Sequence, residues 1–368
     1  MHTFTIFTDQ TEFHQQRAMT IGSSDIPVLA GLYVRNGKTP LLLWQEKTGR
    51  AEPFQGNELT WWGHQHEISI AYRWVLDTYG EETAERFRIG KIRGDNVISI
   101  DLEGADIGRI YSNTHFVHPD YPWATAHPDV LTETPSGGHI QEIKSTGFFP
   151  SLRSEDNIRG YDRHDNGLGG VPLAVYLQVQ WQLFCAGITS GNGTAGVSVL
   201  ANTSDYASYG PGTADPRTQE KILALAERFQ WCLKNDKPPQ PMTWDDVCKL
   251  WPVADDNAAM YPIDYPLDDN HTLADMLAER ETIDKRVKAD AKRIDEIKTA
   301  VGILMGDNRV LQTPDGYTIA TRSDQTRESI SVSSLTDWDP DLVQRLREQE
   351  VIKQTSFSKL NFRKLRSE

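Results

Sequence analysis

Cysteine is scarce in this chain: Cys185, Cys232 and Cys248 are the only three in 368 residues, and none has a CxxC partner. That spacing excludes a disulfide framework, a structural zinc site and a four-cysteine iron–sulfur cluster. Long apolar runs are also missing. No stretch approaches the roughly 20 residues that a bilayer span requires, and Met1-His2-Thr3-Phe4 lacks the basic and apolar regions of a secretory leader. A cytoplasmic protein with no membrane partner is therefore expected. Positive charge is in deficit, with 38 Lys and Arg against 52 Asp and Glu and a net charge of −14. This excludes a uniformly basic nucleic-acid surface, but an acidic exterior can still surround a local basic channel. With 38% hydrophobic residues the chain can bury a large core, and its length suits one large domain with an appendage, or two domains.

What is present centres on His127-Pro128-Asp129 and Glu142-Ile143-Lys144. Val130 to Thr134 reads as the end of a strand, residues 135–138 as a turn, and His139 to Ser145 as the returning strand. Such a hairpin brings Asp129 and Glu142 to neighbouring positions. Side chains alternate along a strand, so Glu142 and Lys144 share a face, while Ile143 points into the opposite layer and leaves its carbonyl near the site. Two hard oxygen ligands, a carbonyl and an amine suit magnesium and phosphate. Taken alone, an acid-x-Lys triplet is more often a cross-strand charge pair on a solvated face. The surrounding sequence decides between the two.

Ser24 or Asp25 ahead of Pro27 reads as a helix start, with Val28, Leu29 and Leu32 continuing inward. It is either an ordinary N-cap or, with Arg17 and the Ser24 hydroxyl, a phosphate pocket. Leu41 to Lys47 reads as a short helix stopped at Gly49, and Thr60 to Tyr79 as a longer one closed by Gly80. Glu67 falls on the same face as Ile70, Ala71, Trp74 and Val75. A carboxylate there needs a base such as Arg73, or a metal. Residues 95–134 read as strands of a mixed sheet, residues 148–170 as a long loop, Pro172 to Gly187 as a helix, and Gly193 to Leu200 as a strand. On that last helix Leu173, Leu177 and Phe184 form the apolar stripe, with Gln180 inside it and Gln178 at its edge.

In this order, Arg17…Ser24-Asp25, Trp62-Gly63-x-x-x-Glu67, Ala126-His127-Pro128-Asp129, Glu142-Ile143-Lys144 and Tyr176 to Leu183 resemble the YqaJ-type viral recombinase family of the PD-(D/E)xK nucleases, which includes the phage lambda exonuclease. The resemblance covers roughly residues 12–200. It implies an α/β (α+β) fold of the restriction-endonuclease type, a central mixed sheet flanked by helices, and a magnesium-dependent 5′→3′ exonuclease acting on double-stranded DNA ends, with Mn²⁺ able to substitute. Carried over by position, Asp129 and Glu142 match the metal-binding acids and the Ile143 carbonyl completes the inner shell. Lys144 matches the lysine at the attacking water, Glu67 the helix carboxylate, Gln178 the assisting glutamine, and Arg17 with Ser24 the 5′-phosphate pocket. Gln180, which the helical wheel favours, stands as second choice to Gln178. The glycine that often follows Pro-Asp is Val130 here. The implied partners are DNA ends and a single-strand annealing protein, with room for a homo-oligomeric ring.

The domain reading is a nuclease over 1–250, a linker over 251–267, and a C-terminal helical accessory unit over 268–368 with a β-hairpin and a basic tail. Residues 237–241 and 261–266 are Pro-rich and read as connections. Met276, Ile283, Val287, Ile294, Ile297, Val301 and Leu304 follow heptad spacing, interrupted by Arg280 and Asp290. Packing of this seam within the chain is favoured over an intermolecular coiled coil. A hairpin over 309–332 and a helix over Asp341 to Glu350 follow. Lys353, Lys359, Arg363, Lys364 and Arg366 then form a candidate DNA-contacting strip in the tail. Two alternatives share the fold: an endonuclease or nickase without an end pocket, and a catalytically silent DNA-end-binding module.

Overall fold

The computed structural model describes residues 1–6, 19–52, 56–93, 97–101, 107–135, 137–146, 168–201, 204–253, 260–262, 264–268, 270–323 and 329–352. Arg17, most of the 148–170 segment and the basic tail beyond residue 352 lie outside the described residues. The chain divides into two units, Met1–Trp251 and Pro252–Glu368.

In the first unit, alternating apolar residues build a six-stranded sheet: β2 (Val97–Asp101), β3 (Ile107–Tyr111), β6 (Val130–Thr134), β7 (Gly137–Thr146), β8 (Gly193–Ala201) and β9 (Asp205–Gly212), in that spatial order. β7 and β8 run parallel and all other neighbours antiparallel, so the sheet is mixed, as expected. A smaller antiparallel sheet joins β1 (Phe4–Ile6), β4 (Thr114–Val117) and β5 (Thr125–Ala126).

Helices cover both faces of the large sheet. Strand alternation sends Ile110, Val130 and Ile143 to one face, where they pack with Ile70, Ala71, Trp74 and Val75 of α3 (Glu58–Tyr79) and with Ala84 and Phe87 of α4 (Glu81–Arg93). Tyr111, Leu131, Ile140 and Val197 face the other way, onto α5 (Leu173–Ala186). Asn57 caps α3 through its side chain, and Gly80 ends it. Gly187 ends α5 at φ 62°, a left-handed conformation that glycine adopts without a Cβ penalty.

One expectation needs correction. The helix at Pro27, α1, is a single turn, Ile26–Leu29, and Leu32 is exposed rather than inward. Residues 237–241 are a connection within the first unit, joining α6 (Pro216–Lys234) to α7 (Trp244–Leu250). α7 is tied back where buried Asp246 accepts hydrogen bonds from Thr39 Oγ1 at 2.8 Å and from the Met242 amide at 2.9 Å. Thr39 in turn caps α2 (Pro40–Lys47).

The second unit contains α8 (Leu273–Met305), opened by a Thr272–Asp275 capping box and ended at Gly306. An antiparallel pair, β10 (Val310–Gln312) and β11 (Thr318–Thr321), follows, then α9 (Val332–Trp338) and α10 (Pro340–Glu348). No helix among the described residues is long and apolar enough to cross a membrane.

Candidate active site

The β6–β7 hairpin positions the central residues. Val130 pairs with Gln141, so the register continued one residue further sets Asp129 opposite Glu142. Asp129 Oδ2 accepts the Ile143 amide at 2.7 Å, which fixes the carboxylate against β7 and leaves Oδ1 without a hydrogen bond among the described residues. Burial, followed by the nearby charges of Glu142 and Glu67, raises the Asp129 pKa well above the usual carboxylate range. Lys144 and the Ile143 amide oppose this without cancelling it.

Glu142 is 2% exposed through its side chain and is held from three sides. Gln178 Nε2 donates to Oε1 at 2.5 Å, Gln182 Nε2 donates to Oε2 at 2.6 Å, and Lys144 Nζ forms an ion pair with Oε1. Gln178 and Gln182 are one turn apart on α5, so a single helix face grips both oxygens. Burial alone would lower the Lys144 pKa, but Glu142 and Asp129 outweigh it and the pKa is raised. The two carboxylates thus favour the charged form of Lys144.

Gln180 is not with this group. It is buried, its Oε1 accepts the Asp215 amide at 2.8 Å, and its Nε2 donates to the Thr213 carbonyl at 3.1 Å. It therefore ties α5 to the start of α6, and only Gln178 of the two reaches Glu142. Gln182 was not singled out from the sequence, although its i, i+4 spacing from Gln178 was the signal that could have found it.

Glu67 stands at 28% side-chain exposure on α3. Its partner is Lys91 of α4, with Nζ 2.8 Å from Oε1, rather than Arg73, which pairs with Asp77 at 2.9 Å. The salt bridge and the placement at the site coexist, because Glu67 lines one cleft together with Asp129, Glu142, Ile143, Lys144 and Gln178. This cleft encloses about 540 Å³.

Gly22, Ser23 and Ser24 line the same cleft. Asp25 does not cap α1 through its side chain: its Oδ2 accepts the Gly22 amide at 2.9 Å and pairs with buried Lys47 at 2.9 Å. Lys47 also donates to the Thr20 carbonyl at 2.8 Å. A buried ion pair thus pins the segment that presents Ser24. His127 also lines the cleft, and its Nε2 lies 2.6 Å from His115 Nδ1, a ring-to-ring hydrogen bond in which one nitrogen donates and the other accepts. Burial lowers the His115 pKa to about 4.

No set of three or more His, Cys, Asp or Glu side chains among the described residues gathers as a metal cage. The donor set is the pair Asp129 and Glu142 with the adjacent Ile143 backbone, which are hard oxygen ligands. It fits a divalent cation on one observation: Asp129 stands opposite Glu142 in the hairpin and lines the cleft with its Oδ1 accepting no hydrogen bond among the described residues.

Residues 12–189 match the model of the YqaJ-like viral recombinase domain. Among solved structures, an alkaline exonuclease from Laribacter hongkongensis is similar at 14% identity, covering 62% of this chain and 94% of that one, with a TM-score of 0.39. The same exonuclease in complex with dAMP gives 14% identity, the same coverage and a TM-score of 0.40. No curated protein matches the sequence.

Proposed function

This chain carries, over residues 12–189, a domain of the YqaJ-like viral recombinase family, and on that premise we propose that it is a divalent-metal-dependent exonuclease acting 5′→3′ on double-stranded DNA ends. Its product would be a 3′ single-stranded tail for a strand-annealing protein. The convergence of Asp129, Glu142, Lys144, Glu67 and Gln178 on the cleft that also presents Ser24 supports this reading. A module that only bound DNA ends would have no physical need for clustered acids beside a phosphate.

Lys144, held in its charged form by Glu142 and Asp129, suits orienting the attacking water or stabilising the charge developing on the phosphate better than acting as a base. Gln178 and Gln182 hold Glu142 in one orientation, and the Ile143 amide does the same for Asp129. Mg²⁺, or Mn²⁺ in its place, held by Asp129, Glu142 and the Ile143 carbonyl, would supply Lewis-acid polarisation of the phosphate and acidify water. Glu67 adds a third carboxylate at the cleft wall. Ser24 with Arg17 would receive the terminal 5′-phosphate. The unit beyond residue 267 would act as an accessory that adds DNA contacts through its basic tail.

Digestion of blunt duplexes with and without a 5′-phosphate, in Mg²⁺ or EDTA, tests the proposal. A terminal phosphate carries close to two negative charges against one for an internal diester. A charge-assisted hydrogen bond at the end should therefore give roughly a tenfold to hundredfold preference for the phosphorylated end. Arg17→Ala should erase that preference, and lysine there should restore part of it. Equal rates on both ends, or equal cutting of covalently closed circles, would replace the exonuclease reading with the nickase.

A further inference from the structure

Within its own unit, the described residues leave the apolar seam of α8 exposed. Met276, Ile283, Val287, Ile294 and Ile297 are each between 50% and 59% exposed, and Met305 is the buried residue of this helix. At 1.5 Å per residue α8 is about 50 Å long. Ion pairs between Lys285 and Glu281, Lys288 and Asp284, and Arg293 and Glu296 lie along its surface and are worth little individually. An apolar stripe of this length in water calls for a partner, and the two charges that interrupt it say which.

We propose that α8 pairs with α8 of a second copy as an antiparallel two-helix coiled coil, with Arg280 of each copy opposite Asp290 of the other. Arg280 lies between Met276 and Ile283 on the seam, and Asp290 between Val287 and Ile294, so both charges face whatever covers the stripe. In a parallel in-register dimer each would meet its own kind. The flanking positions would then set Glu279 against Asp284 and Arg293 against Lys298, again like against like. Coiled coils use such seam and flanking charges to select partner and orientation.

Reversing one helix changes the signs. With Arg280 facing Asp290 of the second copy, Met276 faces Ile294, Leu273 faces Ile297 and Ile283 faces Val287, so every apolar seam residue from 273 to 297 meets another. Glu279 then flanks Arg293 of the second copy. Asp284 and Arg286 meet their own counterparts near the centre, at exposed flanking positions, and Asp284 is already paired with Lys288 at 2.7 Å. Sliding the helices by one heptad would lengthen the overlap, but it would set Arg280 against Ile297 and Asp290 against Val287, so that four seam charges face apolar residues.

Cross-linking and sedimentation of the full-length protein test this independently of the proposed reaction and of any association through the first unit. Full-length Met276→Cys and Ile294→Cys chains, mixed and oxidised, should form a disulfide-linked dimer. Met276→Cys alone should not, because its two copies would lie about 27 Å apart along the axis. Arg280→Asp, on an exposed helix face, should weaken self-association through α8 more than about tenfold. Mixing Arg280→Asp chains with Asp290→Arg chains should restore it, because both seam pairs then recover opposite charges. Self-cross-linking of Met276→Cys, cross-linking of Met276→Cys with Val301→Cys in place of Ile294→Cys, no cross-link in any mixture, or an unchanged affinity in Arg280→Asp would each overturn the proposal.

Discussion

Gln182 donates a hydrogen bond from Nε2 to Oε2 of Glu142 at 2.6 Å. Because Gln178 holds the other oxygen from one turn earlier, α5 grips both carboxylate oxygens, and Lys144 of the same strand adds the third hold. Gln182→Leu should keep the fold and lower the rate of DNA digestion about 10- to 100-fold, as expected for a group that orients a ligand. Gln182→Glu should lower it further by adding a like charge to a buried acid. Digestion rates alongside far-UV circular dichroism check both, and wild-type rates in Gln182→Leu would remove this role.

Asp129 has a raised pKa in the folded chain, so the folded state binds its proton more tightly than the unfolded state does. The stability it contributes is full below the unfolded value of about 3.9 and is lost as pH rises through the folded value. Asp129→Asn keeps an oxygen for the Ile143 amide and removes that loss. In EDTA at pH 8 the variant should melt above the wild type, and the difference should vanish near about pH 4. Digestion should be abolished. A lower melting temperature at pH 8 would contradict the account.

His115 behaves in the opposite sense. Burial lowers its pKa from 6.5 to about 4, so the unfolded chain takes up a proton first as pH falls. Stability should drop as pH is lowered from about 6.5 towards about 4. His115→Asn, which can still hydrogen-bond His127, should flatten that part of the profile. Urea midpoints between neutral pH and pH 4.5 provide the measurement.

Truncation after residue 267 should leave a folded nuclease, because the sheet and both of its helical layers lie within Met1–Trp251. Loss of Lys353, Lys359, Arg363, Lys364 and Arg366 should weaken DNA binding and reduce its salt dependence. Binding titrations at several salt concentrations check this. An insoluble product would place residues beyond 267 in the core of the first unit.

The sequence by itself determined the hairpin of Asp129, Glu142 and Lys144, because period-two alternation and a short turn specify pairing between neighbouring strands. It also placed the helices closed by Gly80 and Gly187, whose stop signals are local. Its account of α1 was too long, since the turn is held by a buried ion pair from Asp25 to Lys47 that no local pattern reveals. The choice between Gln178 and Gln180 was likewise not local. α5 is covered on nearly all sides, so its periodicity marks burial without distinguishing the face that meets Glu142 from the face that meets Asp215. Only the tertiary structure gave Glu67 its partner in Lys91, 24 positions away, and added Gln182 to the site. Within its own unit it left the α8 seam exposed among the described residues, and a heptad pattern fixes which residues need covering without saying which molecule covers them.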